Sequence, residues 1–176
     1  MSVLSGGKAA QTYLEGIAKK IQDAGVLRVG FLENAKYDDG TPVAAVAAQN
    51  EYGTKESPSR PFFRTMIKDK KAGWAVSMSN LMQSTNYDID AVYKLMGDGI
   101  VGQLQMSIRD GNWKPNSPVT NLLKQRFPMR ENMTQADVDQ AKADVAAGAT
   151  APAGKPLNWT AHMQNSAGWD VKHEST

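Results

Sequence analysis

Gly97, Gly99 and Gly102 stand in the order G-x-G-x-x-G. That pattern cradles a dinucleotide pyrophosphate when it follows a strand and opens a helix. Here it lies inside the most regular helical stripe of the chain: Ile89, Val92, Tyr93, Met96, Ile100, Leu104 and Ile108. The run therefore predicts glycines at close-packing positions or a bend, and a nucleotide-binding enzyme stays as the alternative of another class. His162 and His173 are the only histidines, and their spacing suits no pair of metal ligands on a helix. Asp38-Asp39 reads as a solvated turn rather than a cation site. With no cysteine there is no thiol nucleophile, disulfide or cysteine zinc site. No Gly-x-Ser-x-Gly elbow is present either. These residues lead to the expectation of a protein that is not an enzyme, with no catalytic residue, metal or cofactor.

The chain has 176 residues, 41% of them hydrophobic, with 20 basic and 18 acidic side chains and a net charge of +2. That length suits one domain, residues 1–176, folding without disulfides or metal. A mean hydropathy of −0.47 and the absence of a run of about 20 apolar residues predict no membrane span. Residues 1–10 lack the apolar middle of a signal peptide. The Lys68, Lys70 and Lys71 cluster, broken by Asp69, reads as a solvated helix face and not as a nucleic-acid stripe.

Residues 8–24 read as an amphipathic helix, with Ala10, Leu14, Ile17, Ala18 and Ile21 on one face and Gly25 as its stop. Val26 to Leu32 reads as a strand, and residues 37–40 as a turn. Thr41 is expected to cap a helix beginning at Pro42, whose alanines would let it pack closely on a sheet. Gly53 ends that helix and Pro61 begins a longer one, with Phe62, Phe63, Met66 and Ile67 on one face. A short helical turn is expected at 120–124. Residues 126–154 read as a helical insertion and linker, with Thr134 capping Gln135 to Ala147 and Gly148 closing it. Having few large apolar residues, this piece is expected on the outside or against a neighbouring subunit. A short helix at 158–165 and a last strand, Ser166 to Val171, complete the chain. The expected class is α+β: a mainly antiparallel sheet, formed by the two terminal strands, packed by two or more helices, with an exposed helical insertion.

Between two helices lies Glu51-Tyr52-Gly53-Thr54-Lys55-Glu56-Ser57-Pro58-Ser59-Arg60-Pro61-Phe62-Phe63-Arg64. It carries no evident acid–base or nucleophilic chemistry and reads as a shaped surface. Arg60 and Arg64 can fork onto a neighbour's carboxylates, and the prolines lower the entropy lost on assembly. One of Phe62 and Phe63 is expected in the core and the other at a contact. Trp113 and Trp159, in polar loop surroundings, read as loop anchors or subunit contacts. The candidate partner-contact residues are Glu51, Lys55, Glu56, Arg60, Phe62, Arg64, Trp113 and Trp159.

The alanine-rich helix ending Asn50-Glu51-Tyr52-Gly53, followed by Pro58-Ser59-Arg60-Pro61-Phe62-Phe63-Arg64, resembles the tail-completion or head–tail joining proteins of long-tailed bacteriophages, also called neck or virion morphogenesis proteins. The resemblance extends to residues 29–32, 39–44, 116–120 with Lys124, 155–157, 162–166 and 169–171, and so covers most of 26–171. Two departures stand out. Asn158-Trp159-Thr160-Ala161 replaces the family's acidic-Thr-Gly sequence after Pro-Leu, and 126–154 is longer than the family's norm. The resemblance implies a structural subunit of a ring, usually six-fold, between the portal–connector complex and the tail tube. Its implied partners are copies of itself, a connector or head-closure protein, and a tail terminator or tail tube protein. It implies residence in the virion neck or tail after assembly in the host cytoplasm. DNA would pass through such a ring without specific binding, which suits the near-neutral charge. A tail terminator capping the tube is the alternative within the class.

Overall fold

A computed structural model of the chain describes residues 6–22 and 24–173. The elements in order are α1 (Gly6–Gln22), β1 (Val26–Phe31), α2 (Val43–Tyr52), α3 (Phe62–Ser84), α4 (Ile89–Asp110), α5 (Pro118–Arg126), α6 (Gln135–Ala146), α7 (His162–Asn165) and β2 (Ala167–Lys172). The two strands pair antiparallel, Val26 opposite Lys172 through Phe31 opposite Ala167. Helices dominate and a two-stranded antiparallel sheet packs on them, which is an α+β fold.

The centre of the molecule is the α3–α4 hairpin. Both helices are long, and their apolar stripes meet. Asp88 opens α4 by accepting from the Ala91 N–H at 3.2 Å. From there Val92, Leu104 and Ile108 are buried completely or nearly so, together with Phe62 and Met66 of α3 and Val43 of α2. The sheet lies across α4. Its inner face carries Leu27, Val29 and Phe31 opposite Val171, Trp169 and Ala167. Trp169 lies flat on Gly97, where a β-carbon would come within 2.5 Å of the indole. This explains the glycine-rich run: all of Gly97–Gly102 is helical, and Gly97 is the gap into which the sheet's tryptophan fits.

Several expectations are corrected. The α2 cap is Pro42, not Thr41, whose side chain makes no capping bond. The Thr41 N–H instead donates to the Asp39 carboxylate at 2.9 Å, inside the turn closed by the Gly40 N–H to the Tyr37 carbonyl. The α2 alanines do not form a sheet-packing face: Ala47 is buried, but Ala44, Ala45 and Ala48 face outward. The short turn expected at 120–124 is a nine-residue helix, because Ser117 caps it and Pro118 occupies its first position. The helix expected over 158–165 is confined to 162–165.

Helix α6 opens on a capping box in which Thr134 and Asp137 bond each other's backbone N–H. It is not left without a partner in its own chain. Ala141 is fully buried against Leu122 and Leu123 of α5, with Val119, Phe127, Val138 and Val145 around them. Ala141 makes up for the missing bulk by letting α5 come close. By contrast the described side chains of α1 are exposed, apart from the half-buried Ile17.

Candidate functional site

The 50–64 segment folds as a joint that locks α2 to α3. Gly53 ends α2 with φ of +82°, and a β-carbon there would come within 2.7 Å of the Ser59 N–H. Only glycine combines that φ with that approach. Beyond it, the Thr54 hydroxyl accepts from the Glu56 and Ser57 N–H groups at 3.2 and 3.0 Å. The Ser59 hydroxyl donates to the Glu51 carbonyl at 2.7 Å, and the Arg60 N–H to the Asn50 carbonyl at 2.7 Å. The loop is thus tied back onto the end of the helix it leaves.

Glu51 is the keystone of the joint. It is 5% exposed, and its carboxylate accepts from the Phe63 N–H (2.9 Å), the Arg64 N–H (3.1 Å) and Arg64 Nε (2.8 Å). Pro61, at the cap position of α3, has no side chain to offer these first N–H groups. A carboxylate from the preceding helix supplies the missing acceptor, and its negative charge sits at the positive end of α3. Arg64 then lies over the Tyr52 ring at 4.9 Å, with 56% of its side chain exposed.

Arg60 points the other way. It is 6% exposed. Its Nε donates to the Lys114 carbonyl at 2.8 Å, and Nη2 to the Pro115 carbonyl at 3.2 Å and Asn116 Oδ1 at 3.5 Å. Burial pushes its pKa down from the ordinary arginine value. The Asn116 amide continues to the Gly154 carbonyl, and Lys124 Nζ donates to the Lys155 and Asn158 carbonyls at 2.7 and 2.8 Å. Burial pushes the Lys124 ammonium down, and the nearby Arg60 charge adds to that. Together with Arg130 and His162 these cations line a cavity of about 340 Å³. Trp159 closes one side, its indole N–H donating to the Phe127 carbonyl at 2.8 Å, with Lys124 and Arg130 over the ring at 5.8 and 5.5 Å. The Tyr37 and His162 rings meet at 4.6 Å, tilted by 37°.

The eight partner-contact candidates therefore separate. Lys55 and Glu56 lie exposed on the loop, and Arg64 is half free. Glu51, Arg60 and Phe62 are buried and hold the fold. Phe62 is 1% exposed and meets Phe31 edge to face. Of the two phenylalanines it is the core member, because the first residue of α3 points into the hairpin. The expectation that Arg60 forks onto a neighbour from an exposed loop is corrected: carbonyls of residues 114–115 take its donors. Trp113 and Trp159 are half-buried loop anchors. The Trp113 indole donates to the Ser107 carbonyl at 2.9 Å. The grouping of Lys124, Arg130 and His162 is not legible in the sequence, where 124, 130 and 162 share no motif.

Among the described residues no three His, Asp or Glu side chains stand together where they could share a metal ion. No described helix is long and apolar enough to cross a membrane. No protein-family model, curated protein or solved structure matches the chain.

Proposed function

We propose that this protein is a structural subunit of a bacteriophage neck, a tail-completion or head–tail joining protein that joins copies of itself into a ring between the connector and the tail tube. The observation that carries this reading is the convergence of the segments resembling that family. Residues 29–32, 39–44, 50–64, 116–120 with Lys124, 155–157, 162–166 and 169–171 are scattered along the chain. They meet through Arg60 to Asn116 (3.5 Å), Lys124 to the Lys155 carbonyl (2.7 Å) and the pairing of β1 with β2. A motif set of that kind reads as the blueprint of one rigid body, and its chemistry is bracing: buried cations against carbonyls and a carboxylate against a helix end. Lys55, Glu56 and Arg64 are left to face partners. A tail terminator remains the nearest alternative role for the same body.

The test is genetic and visual. Removing the coding sequence from the phage or prophage that carries it is expected to leave filled heads and free tails under the electron microscope, with joining restored by the gene supplied in trans. Normal joined virions without the protein would reject the role.

A further inference from the structure

Three cations gather in one cavity of this molecule without a counter-ion. Arg60, Lys124 and Arg130 line the space of about 340 Å³ beside Trp159. The ion pairs among the described residues all use other cations. Glu56 is the only acidic residue among those lining the cavity, and it lies exposed on its loop. Asp39 lies within electrostatic reach of Arg130, but its carboxylate is bonded inside its own turn by the Thr41 N–H.

The partners these cations do have are neutral. Arg60 gives Nε and Nη2 to oxygens of residues 114–116, and Lys124 gives Nζ to the Lys155 and Asn158 carbonyls. The Arg130 side chain makes no hydrogen bond among the described residues and lies over the Trp159 ring at 5.5 Å. Donors are therefore left over: Nη1 of Arg60, the third proton of Lys124 and the whole Arg130 guanidinium. A carbonyl satisfies a hydrogen bond without cancelling a charge, and a cation withdrawn from water without a counter-ion is costly. Arg60 is 6% exposed and Lys124 is half-buried, so two of the three carry that cost.

The backbone of the cavity points the same way. Arg130 and Ala161 both line it, and both hold a left-handed conformation, with φ of +62° and +60°. Residues other than glycine keep such a conformation where their surroundings enforce it, and these positions gather at ligand sites.

We propose that this cavity binds a phosphate-class oxyanion: free phosphate or pyrophosphate, or the phosphoryl end of a small organic phosphate. The planar forks of two arginines and the point charge of a lysine are the donors that such an anion takes. The volume lies at the small end of ligand pockets, which span roughly 300–1,000 Å³. Glu56 beside the cavity opposes a long polyanion such as a nucleic-acid strand. The bound anion neutralises the cluster and ties the 50–64 joint, α5 and residues 155–162 to one another. This site goes beyond the neck role and does not rest on it.

Calorimetric titration and thermal melting of the full-length protein test it. Phosphate, pyrophosphate and glycerol 3-phosphate are added at fixed ionic strength against a chloride control. Saturable binding of at least one is expected, with the melting temperature raised by about 2 °C or more at saturation. Which of the three binds tightest tells a free anion from a phosphoryl end. Arg130→Ala, at an exposed side chain, should melt as wild type does in chloride and bind at least about threefold more weakly. Glu56→Gln should bind more tightly than wild type, because it removes the one negative charge beside the anion. The proposal is overturned by the absence of saturable binding for all three probes, by an equal effect of chloride, or by binding indifferent to both substitutions. An acidic peptide or DNA oligonucleotide that binds through Arg130 more tightly than every probe would also overturn it, since the cavity would then belong to a macromolecular contact. Joined virions without the protein would remove the neck role and leave this site standing.

Discussion

Glu51 does two jobs with two carboxylate oxygens. It caps the start of α3 and holds Arg64, in an almost fully enclosed position. Glu51→Ala is expected to cost about 2–3 kcal/mol of stability in urea unfolding, because two N–H groups and a guanidinium lose their acceptor inside the fold. Arg64→Ala, at the more exposed end of the same pair, is expected to cost under about 1 kcal/mol. A comparable loss for both would mean that the pair, and not the helix cap, carries the energy. Asp110 makes a separate case. Arg109 and Lys155 bond its carboxylate at 2.8 and 3.1 Å and hold its pKa down to about 2. Asp170, bonded by Arg28, and Asp98, bonded by the Trp169 indole and Lys94, are also held below the ordinary aspartate value. A lowered folded-state pKa favours the charged form in the fold. The stability it brings is present above the ordinary carboxylate pKa, near pH 4, and fades as pH falls toward about 2. The melting temperature should therefore be flat near neutrality and fall across that acid window, less steeply in Asp110→Asn.

At the scale of elements, α4 and β2 meet through one missing side chain. Gly97→Val would place a branched side chain where the Trp169 indole lies. The change should cost about 1–3 kcal/mol through overpacking, and loosening of the β1–β2 pairing would appear in amide hydrogen exchange. Gly99 and Gly102 have open space where a β-carbon would stand, so alanine there should be neutral or stabilising by up to about 1 kcal/mol. A nucleotide-binding role for the run would instead make all three changes abolish binding. The α5–α6 pair is a second, smaller packing unit. Thr134→Ala removes the cap of α6 and is expected to cost about 1 kcal/mol, with protection lost first in residues 135–146.

At the scale of the whole molecule, the joint at 50–64 divides inside from outside. Its acids and bases at 51 and 60 hold the body together, while those at 55 and 56 face solvent on a loop braced by Thr54. Exchanging the two outer charges, Lys55→Glu with Glu56→Lys, should leave the melting temperature unchanged because neither side chain is packed. On the proposed neck role, the same exchange should lower the yield of joined virions, read as plaque titre against the same stock complemented by wild type. An unchanged titre would take this loop out of the partner surface.

Local rules in the sequence are enough for the elements with strong periodicity or clear punctuation. The α4 stripe, the Gly53 stop, the Thr134 cap and the two terminal strands follow from side-chain spacing and backbone preference, which neighbours in sequence decide. The same locality explains what stays hidden. Glu51 and Arg60 look alike in sequence to charges on an exposed loop; that one caps a helix twelve residues on and the other braces a loop fifty-four residues on depends on where the chain returns. The tryptophan fitted onto Gly97 is likewise a product of packing between distant segments. The amphipathic pattern of α1 is legible in its residues; that the stripe stays exposed among the described residues is decided only by the tertiary structure, because burial belongs to the assembled molecule and not to a helix.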